Sequence, residues 1–181
     1  DTIKSINKTF RIAYMPPATE FNYYIAIGEG IKKIAAQQGV EVFMLAPQSG
    51  ADINGQMGMI QDVLTQDVDA IIYGTHDEFA AAPLIKKAVD KGLAVVMINS
   101  DIPNFPTPIH AVVGYAQRSG THKIADWVID RAAGKNLKIG IVEGQPGYHS
   151  TERVGGFLDG IQGHNNLEVV VSIDGKWNVE G

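Results

Sequence analysis

The sequence predicts an α/β fold: one lobe built on a parallel sheet flanked by helices, then an incomplete second lobe of the same kind. Three observations carry this reading. Short apolar runs recur at intervals of roughly 25 to 30 residues, the length of a βα unit. The runs are near-continuous in Val and Ile rather than alternating, as in strands buried on both faces of a parallel sheet. Between them, apolar residues return at helical spacing.

The first expected strand is Arg11 to Met15, stopped by Pro16-Pro17. Tyr24, Ile27, Ile31 and Ile34 then form a helical stripe that Gly39 closes. A second strand, Val40 to Leu45, ends at Ala46-Pro47, and Ile53, Met57, Ile60 and Leu64 mark the next helix after a Ser49-Gly50 turn. A third strand, Ala70 to Tyr73, leads to a helix between Phe79 and Lys91. There Asp77 is the candidate N-cap, Gly92 the stop, and Pro83 is expected in the first turn, where proline costs least. The fourth strand is Ala94 to Ile98. Ser100 to His110, with Pro103, Pro106 and Pro108, reads as an extended loop before a strand at Ala111 to Tyr115 and a helix from about Gly120 to Ala133. After Gly134 the pattern restarts: a strand at Lys138 to Val142, a polar loop, a helix near Glu152 to Gly163 and a strand at Val169 to Val171. The expected division is a ligand-binding lobe at 9–116 and a partial lobe at 117–181. A two-strand sheet does not readily stand alone, so the natural protein is expected to continue beyond Gly181. Asp1 in place of Met reads as a processed or trimmed start.

Composition excludes several functions. A net charge of −5 argues against a nucleic-acid partner, which needs a basic surface. No run is apolar for long enough to span a membrane. The absence of cysteine removes disulfides, thiolate metal sites and cysteine nucleophiles. Neither a dinucleotide fingerprint nor a P-loop occurs: Gly28 and Gly30 fall inside a helix, and Gly140, Gly144 and Gly147 have the wrong spacing. His76, His110, His122, His149 and His164 make no pair at metal-ligand spacing, and no G-x-S-x-G is present. Neither a cofactor nor a metal is expected, and the chain is read as a binding protein rather than an enzyme.

Open α/β sheets bind ligands at the carboxyl ends of their strands. After the first strand stand Phe21, Tyr23 and Tyr24. Tyr24 lies on the helical stripe and is expected mainly in the core, whereas Phe21 and Tyr23 leave the stripe and are expected to face a ligand. After the fourth strand stand Asn99 and Ser100, polar groups of short reach. In the second series, Glu152-Arg153 is placed at a helix start, where an arginine opposes the macrodipole. Arg153 is then either a functional fork donor or a solvated surface residue. Trp177, in the polar segment Asp174 to Asn178, reads as a lid over a site or as an incidental loop aromatic.

In order and spacing, "RIAYMPPATEFNYYIAIGEG", "DVDAIIYGT", "GLAVVMINSDIP", "VVGYAQRSGTHKIADWV", "KIGIVEGQPGYHSTERVGGFLDGI" and "SIDGKWNVEG" resemble the type I periplasmic binding proteins. The likeness is greatest to the ribose- and galactose-type sugar receptors. It covers the chain from Phe10 and matches about the first three-fifths of a family member. The resemblance implies two Rossmann-like lobes that close on a ligand by hinge motion. It assigns Phe21, Tyr23 and Tyr24 to the first-lobe wall, and Asn99 to the polar residue ending the fourth strand. Arg153 falls in the E-R-x-x-G-F motif that clamps ligand hydroxyls, and Trp177 matches the second-lobe aromatic that stacks on the ligand. It implies a secreted, periplasmic protein whose signal peptide has been removed. Its partners would be a sugar or sugar-like polyol and the permease of an ABC transporter. Asn99-Ser100 departs from the aspartate, often followed by arginine, of many sugar receptors and is more like the autoinducer-2 receptors. The alternatives are therefore a sensing ectodomain coupled to a membrane sensor and, further off, the effector core of a lactose-repressor-type regulator. The latter needs a DNA-binding helix-turn-helix that residues 1–9 are too short to supply.

Overall fold

The structure, a computed structural model, describes residues 8–102 and 109–178. Pro103, Pro106 and Pro108 of the expected loop lie outside the described residues. The chain divides into two compact units, Asp1–Val113 and Gly114–Gly181.

The first unit contains β1 (Arg11–Met15), α1 (Asn22–Gln37), β2 (Glu41–Met44), α2 (Ile53–Thr65), β3 (Ala70–Tyr73), α3 (Glu78–Asp90), β4 (Ala94–Ile98) and β5 (Ala111–Val113). The five strands form one sheet in the order β2-β1-β3-β4-β5, with every pair parallel. Strand side chains alternate between two cores. Ala13, Met15, Ile71, Tyr73, Val95 and Met97 pack with Ile60 and Val63 of α2 and Leu84 and Ile85 of α3. On the opposite face Tyr14 and Ile98 pack with Tyr24, Ile27 and Ile31 of α1. Two buried tyrosines tie these layers to the backbone. Tyr14 donates its hydroxyl hydrogen to the Tyr24 carbonyl at 2.7 Å, and Tyr73 donates to Gln56 Oε1 at 3.0 Å. Gln56 in turn donates to the carbonyls of Pro16 (3.0 Å) and Gly74 (2.8 Å), joining the carboxyl ends of β1 and β3. Burial pushes both tyrosine hydroxyls well above the ordinary phenol range, because the ionised form loses its water.

Gly39 and Gly92 follow α1 and α3 with positive φ, as their roles as helix stops require. Asp77 caps α3 by accepting from the Ala80 amide at 2.8 Å. Pro83 departs from expectation: α3 begins at Glu78, so the proline is its sixth residue, beyond the first turn. It deprives the Phe79 carbonyl of its helical donor, but Phe79 and Pro83 are both exposed, so water can serve instead.

The second unit contains α4 (Gln117–Ala132), β6 (Leu137–Glu143), α5 (Tyr148–Ile161) and β7 (Leu167–Asp174), with β6 and β7 paired in parallel. Several boundaries differ from the sequence reading. β5 stops at Val113 because its partner β4 ends at Ile98. α4 starts before Gly120, at Gln117, and α5 starts before Glu152, at Tyr148. β7 is longer than expected because its register with β6 runs on to the Glu143–Asp174 pair. Val170, Val171 and Ile173 of β7 remain about half exposed. Among the described residues no helix is long and apolar enough to cross a membrane.

Candidate functional site

In the first unit the carboxyl ends of β1, β3 and β4 and the start of α1 gather Phe21, Tyr23, Tyr24, His76, Asn99 and Ser100. Phe21 is the N-cap residue of α1, in extended conformation and without a side-chain cap bond, so its ring is free to pack. It lies 5.4 Å from the His76 ring and 6.3 Å, edge-on, from Tyr24. The ring rests on Gly50, where a Cβ would come within 2.7 Å of Phe21 Cε2. Tyr23 is 54% exposed and meets Tyr24 edge-on at 5.1 Å, whereas Tyr24 is only 4% exposed. Burial separates the three: Tyr24 lies in the core and Tyr23 at the surface, while Phe21 is part-buried against the Tyr24 cluster.

Tyr24 still has a polar task, because its hydroxyl accepts from Asn99 Nδ2 at 3.3 Å. Asn99 ends β4 with φ 58°, a left-handed conformation that asparagine tolerates better than most residues. Its own amide donates to the Val113 carbonyl at 2.8 Å. Ser100 is buried directly behind. Its hydroxyl accepts from the Thr75 amide and donates to the Ile98 carbonyl, both at 3.3 Å, so it braces the ends of β3 and β4.

The second unit brings Arg153 and Trp177 together. The guanidinium carbon lies 5.0 Å from the Trp177 ring centroid and 5.7 Å from that of Tyr115, within cation–π range of both. Arg153 is not at a helix start. α5 opens at Tyr148, after Gly147, so the arginine is its sixth residue and the macrodipole argument does not apply. Its Nε donates to Gln117 Oε1 at 2.9 Å, and Gln117 Nε2 lies 3.0 Å from His149 Nδ1. Trp177 stands in a tight turn after β7, where Lys176 (φ 52°) and Trp177 (φ 56°) are both left-handed. Two such residues in succession cost about 1–2 kcal/mol each. The turn is held by the Asp174 carboxylate, which accepts from the Lys176 amide at 2.7 Å. The indole lies on Gly144, where a Cβ would sit 1.8 Å from Trp177 Cζ2, so only glycine admits it. Nearby, Glu143 accepts from Ser150 Oγ at 3.3 Å and also from Ser172 Oγ. A cavity of about 510 Å³ within this unit is walled by Ile124, Val128, Ile141 and Phe157 and reaches Arg153 and Trp177.

Among the described residues no cluster of His, Asp and Glu could hold a metal ion. The sequence reading weighs His76 and His149 only against metal and catalytic roles and assigns no role to Tyr115, Gln117 or Glu143. The strand-end rule that selected Asn99 applies equally to His76 after β3, Tyr115 after β5 and Glu143 at the end of β6. Gln117 is missed because the sequence reading starts α4 too late.

The chain is similar to known proteins over most of its length. Residues 12–181 match the family model described as "Periplasmic binding protein domain". The D-ribose/D-allose-binding protein of Pseudomonas aeruginosa is 23% identical over 179 residues, covering 94% of this chain and 55% of that protein. The ribose import binding protein of Bacillus subtilis is 26% identical over 151 residues, 83% of this chain and 48% of that one. The chain thus spans about half the length of these curated relatives. Among solved structures, an ABC transporter solute-binding protein from Burkholderia graminis in complex with D-arabinose matches with TM-score 0.85 at 21% identity, covering 96% of this chain and 58% of that one. The Caulobacter myo-inositol binding protein bound to myo-inositol matches with TM-score 0.82 at 22% identity, again covering 96% and 58%. The parallel α/β architecture is that of these structures, and the chain belongs to the periplasmic binding protein family.

Proposed function

We propose that the protein is an extracytoplasmic solute receptor that binds a neutral sugar or cyclic polyol and delivers it to the permease of an ABC importer. The observation that carries this reading is the pairing of Arg153 with Trp177. A planar fork donor held beside an aromatic face suits a ring that offers C–H groups on one side and hydroxyls at its edge. Asn99 and the exposed ring of Tyr23 in the first unit have matching chemistry: a neutral amide for hydroxyls and an aromatic face for the ring. The names of the relatives support the substrate class, since they specify ribose, allose, arabinose and myo-inositol. The binding role requires no catalytic group, and none is assigned.

The test is a titration of tryptophan fluorescence with D-ribose, D-allose, D-arabinose, D-galactose and myo-inositol. The expected result is saturable binding of at least one at roughly micromolar Kd, about −8 kcal/mol. Folded protein that responds to none of them contradicts the proposal.

A further inference from the structure

We propose that Gln117 is the positioning residue that sets the Arg153 guanidinium for its ligand, with His149 fixing the orientation of the Gln117 amide. The inference rests on the sugar-binding reading above and deepens it. Gln117 is the first residue of α4 and only 3% exposed; His149 is the second residue of α5 and only 5% exposed. A glutamine amide has one acceptor and one donor end, and both lie within reach of His149 Nδ1, Nε2 at 3.0 Å and Oε1 at 3.3 Å. Oε1 accepts from Arg153 Nε at 2.9 Å, which turns Nε2 toward His149 Nδ1 at 3.0 Å. The shorter contact, to Nε2, is the one made when the ring nitrogen acts as acceptor; a protonated Nδ1 would donate to Oε1 instead.

The consequence for Arg153 is geometric. Its Nε edge is held by Gln117, and its planar group lies near the Trp177 and Tyr115 rings. No described residue hydrogen-bonds its two terminal nitrogens. Those two nitrogens form a pre-aimed fork, suited to a pair of adjacent hydroxyl oxygens. An arginine held in this way before binding loses less side-chain freedom when the ligand arrives. A glutamine that served only to fill space between α4 and α5 would have no reason to turn its carbonyl oxygen to this arginine.

The experiment uses the full chain with ¹⁵N-labelled arginine and reads the Arg153 Nε–H signal, whose solvent exchange reports the bond to Gln117 without any ligand. Gln117→Leu, similar in size but without an acceptor, is expected to speed that exchange by about tenfold or more, the effect of losing a charge-assisted bond. It should weaken binding of the best sugar from the panel by a similar factor. Gln117→Glu, which keeps an acceptor, is expected to return both quantities toward wild type. In an Arg153→Met background, Gln117→Leu should cause no further loss of affinity. Should Gln117→Leu fail to fold, Gln117→Asn, whose shortened amide falls short of Nε, takes its place. Unchanged Nε–H exchange in these variants overturns the proposal, as does an equal loss of affinity with and without Arg153. If no sugar binds the wild type, the sugar-binding reading fails, and the exchange rates alone still decide whether Gln117 holds Arg153.

Discussion

The two units build their candidate binding groups by opposite means. In the first, a five-stranded sheet supplies the geometry, and several polar side chains are tied to backbone, Ser100 to Thr75 and Ile98, Gln56 to Pro16 and Gly74, Tyr14 to the Tyr24 carbonyl, alongside the side-chain pairs of Asn99 with Tyr24 and Tyr73 with Gln56. In the second, the sheet has two strands with half-exposed faces, and side chains hold one another: Arg153 to Gln117, Gln117 to His149, Arg153 beside Trp177, Trp177 on Gly144. A group bonded to strand backbone keeps its place when a neighbour changes. A group held by other side chains does not. The first wall should therefore tolerate single substitutions, and the second should lose several contacts at once.

The sharpest way to break this comparison is Gly144→Ala. Its Cβ would overlap the indole, so Trp177 must leave and Arg153 loses the nearer of its two aromatic neighbours. Forced overpacking costs about 1–3 kcal/mol. The expected outcome is a changed tryptophan emission and near-complete loss of sugar binding, read by the same fluorescence titration. Next in size is Arg153→Ala. Loss of charge-assisted bonds worth about 1.5–3 kcal/mol should raise Kd by roughly 10- to 100-fold in calorimetry. Unchanged affinity would mean that Arg153 does not touch the ligand. Gly50→Ala is the first-unit counterpart of Gly144→Ala, with a gentler approach of 2.7 Å to the Phe21 ring. It should shift Phe21 against His76 and cost affinity only a few-fold, since Asn99 and Ser100 keep their backbone bonds. An effect as large as that of Gly144→Ala would erase the contrast between the two walls.

The smallest expected effect concerns stability alone. Burial raises the Tyr14 and Tyr73 hydroxyls above their ordinary range, and both lie in the first unit. The unfolded chain releases these protons near pH 10 while the folded chain keeps them. Their contribution is thus fully present below about pH 10 and is lost as pH rises beyond it. Thermal melts across this range should show falling stability, and Tyr14→Phe should flatten the slope while costing about 1 kcal/mol for its hydrogen bond. A slope identical in Tyr14→Phe and the parent would contradict this assignment.

Some elements were legible because their signals are local. Ala70 to Tyr73 and Ala94 to Ile98 were readable to the residue: each is a β-branched run ended by a residue that breaks it, Gly74 or Asn99. The start of α3 was readable because Asp77 caps it with its own side chain. α4 and α5 follow Ala116 and Gly147, neither of which makes a side-chain cap bond, so nothing in the sequence marks their starts. That error moved Arg153 to the wrong part of its helix and concealed Gln117. The candidate site was legible to a similar degree. Aromatics and polar residues after strands can be picked out along the chain. A bond between residues 36 apart, as from Arg153 to Gln117, depends on how α4 packs against α5, which no spacing rule encodes.

The central claim is that Arg153 and Trp177, paired in the second unit, act together on one neutral ring. A crystal structure of the protein with the tightest-binding sugar of the panel tests it most directly. The account predicts ligand hydroxyls within hydrogen-bond reach of the Arg153 terminal nitrogens, with Trp177 against a ring face. A ligand that contacts neither Arg153 nor Trp177 would contradict it.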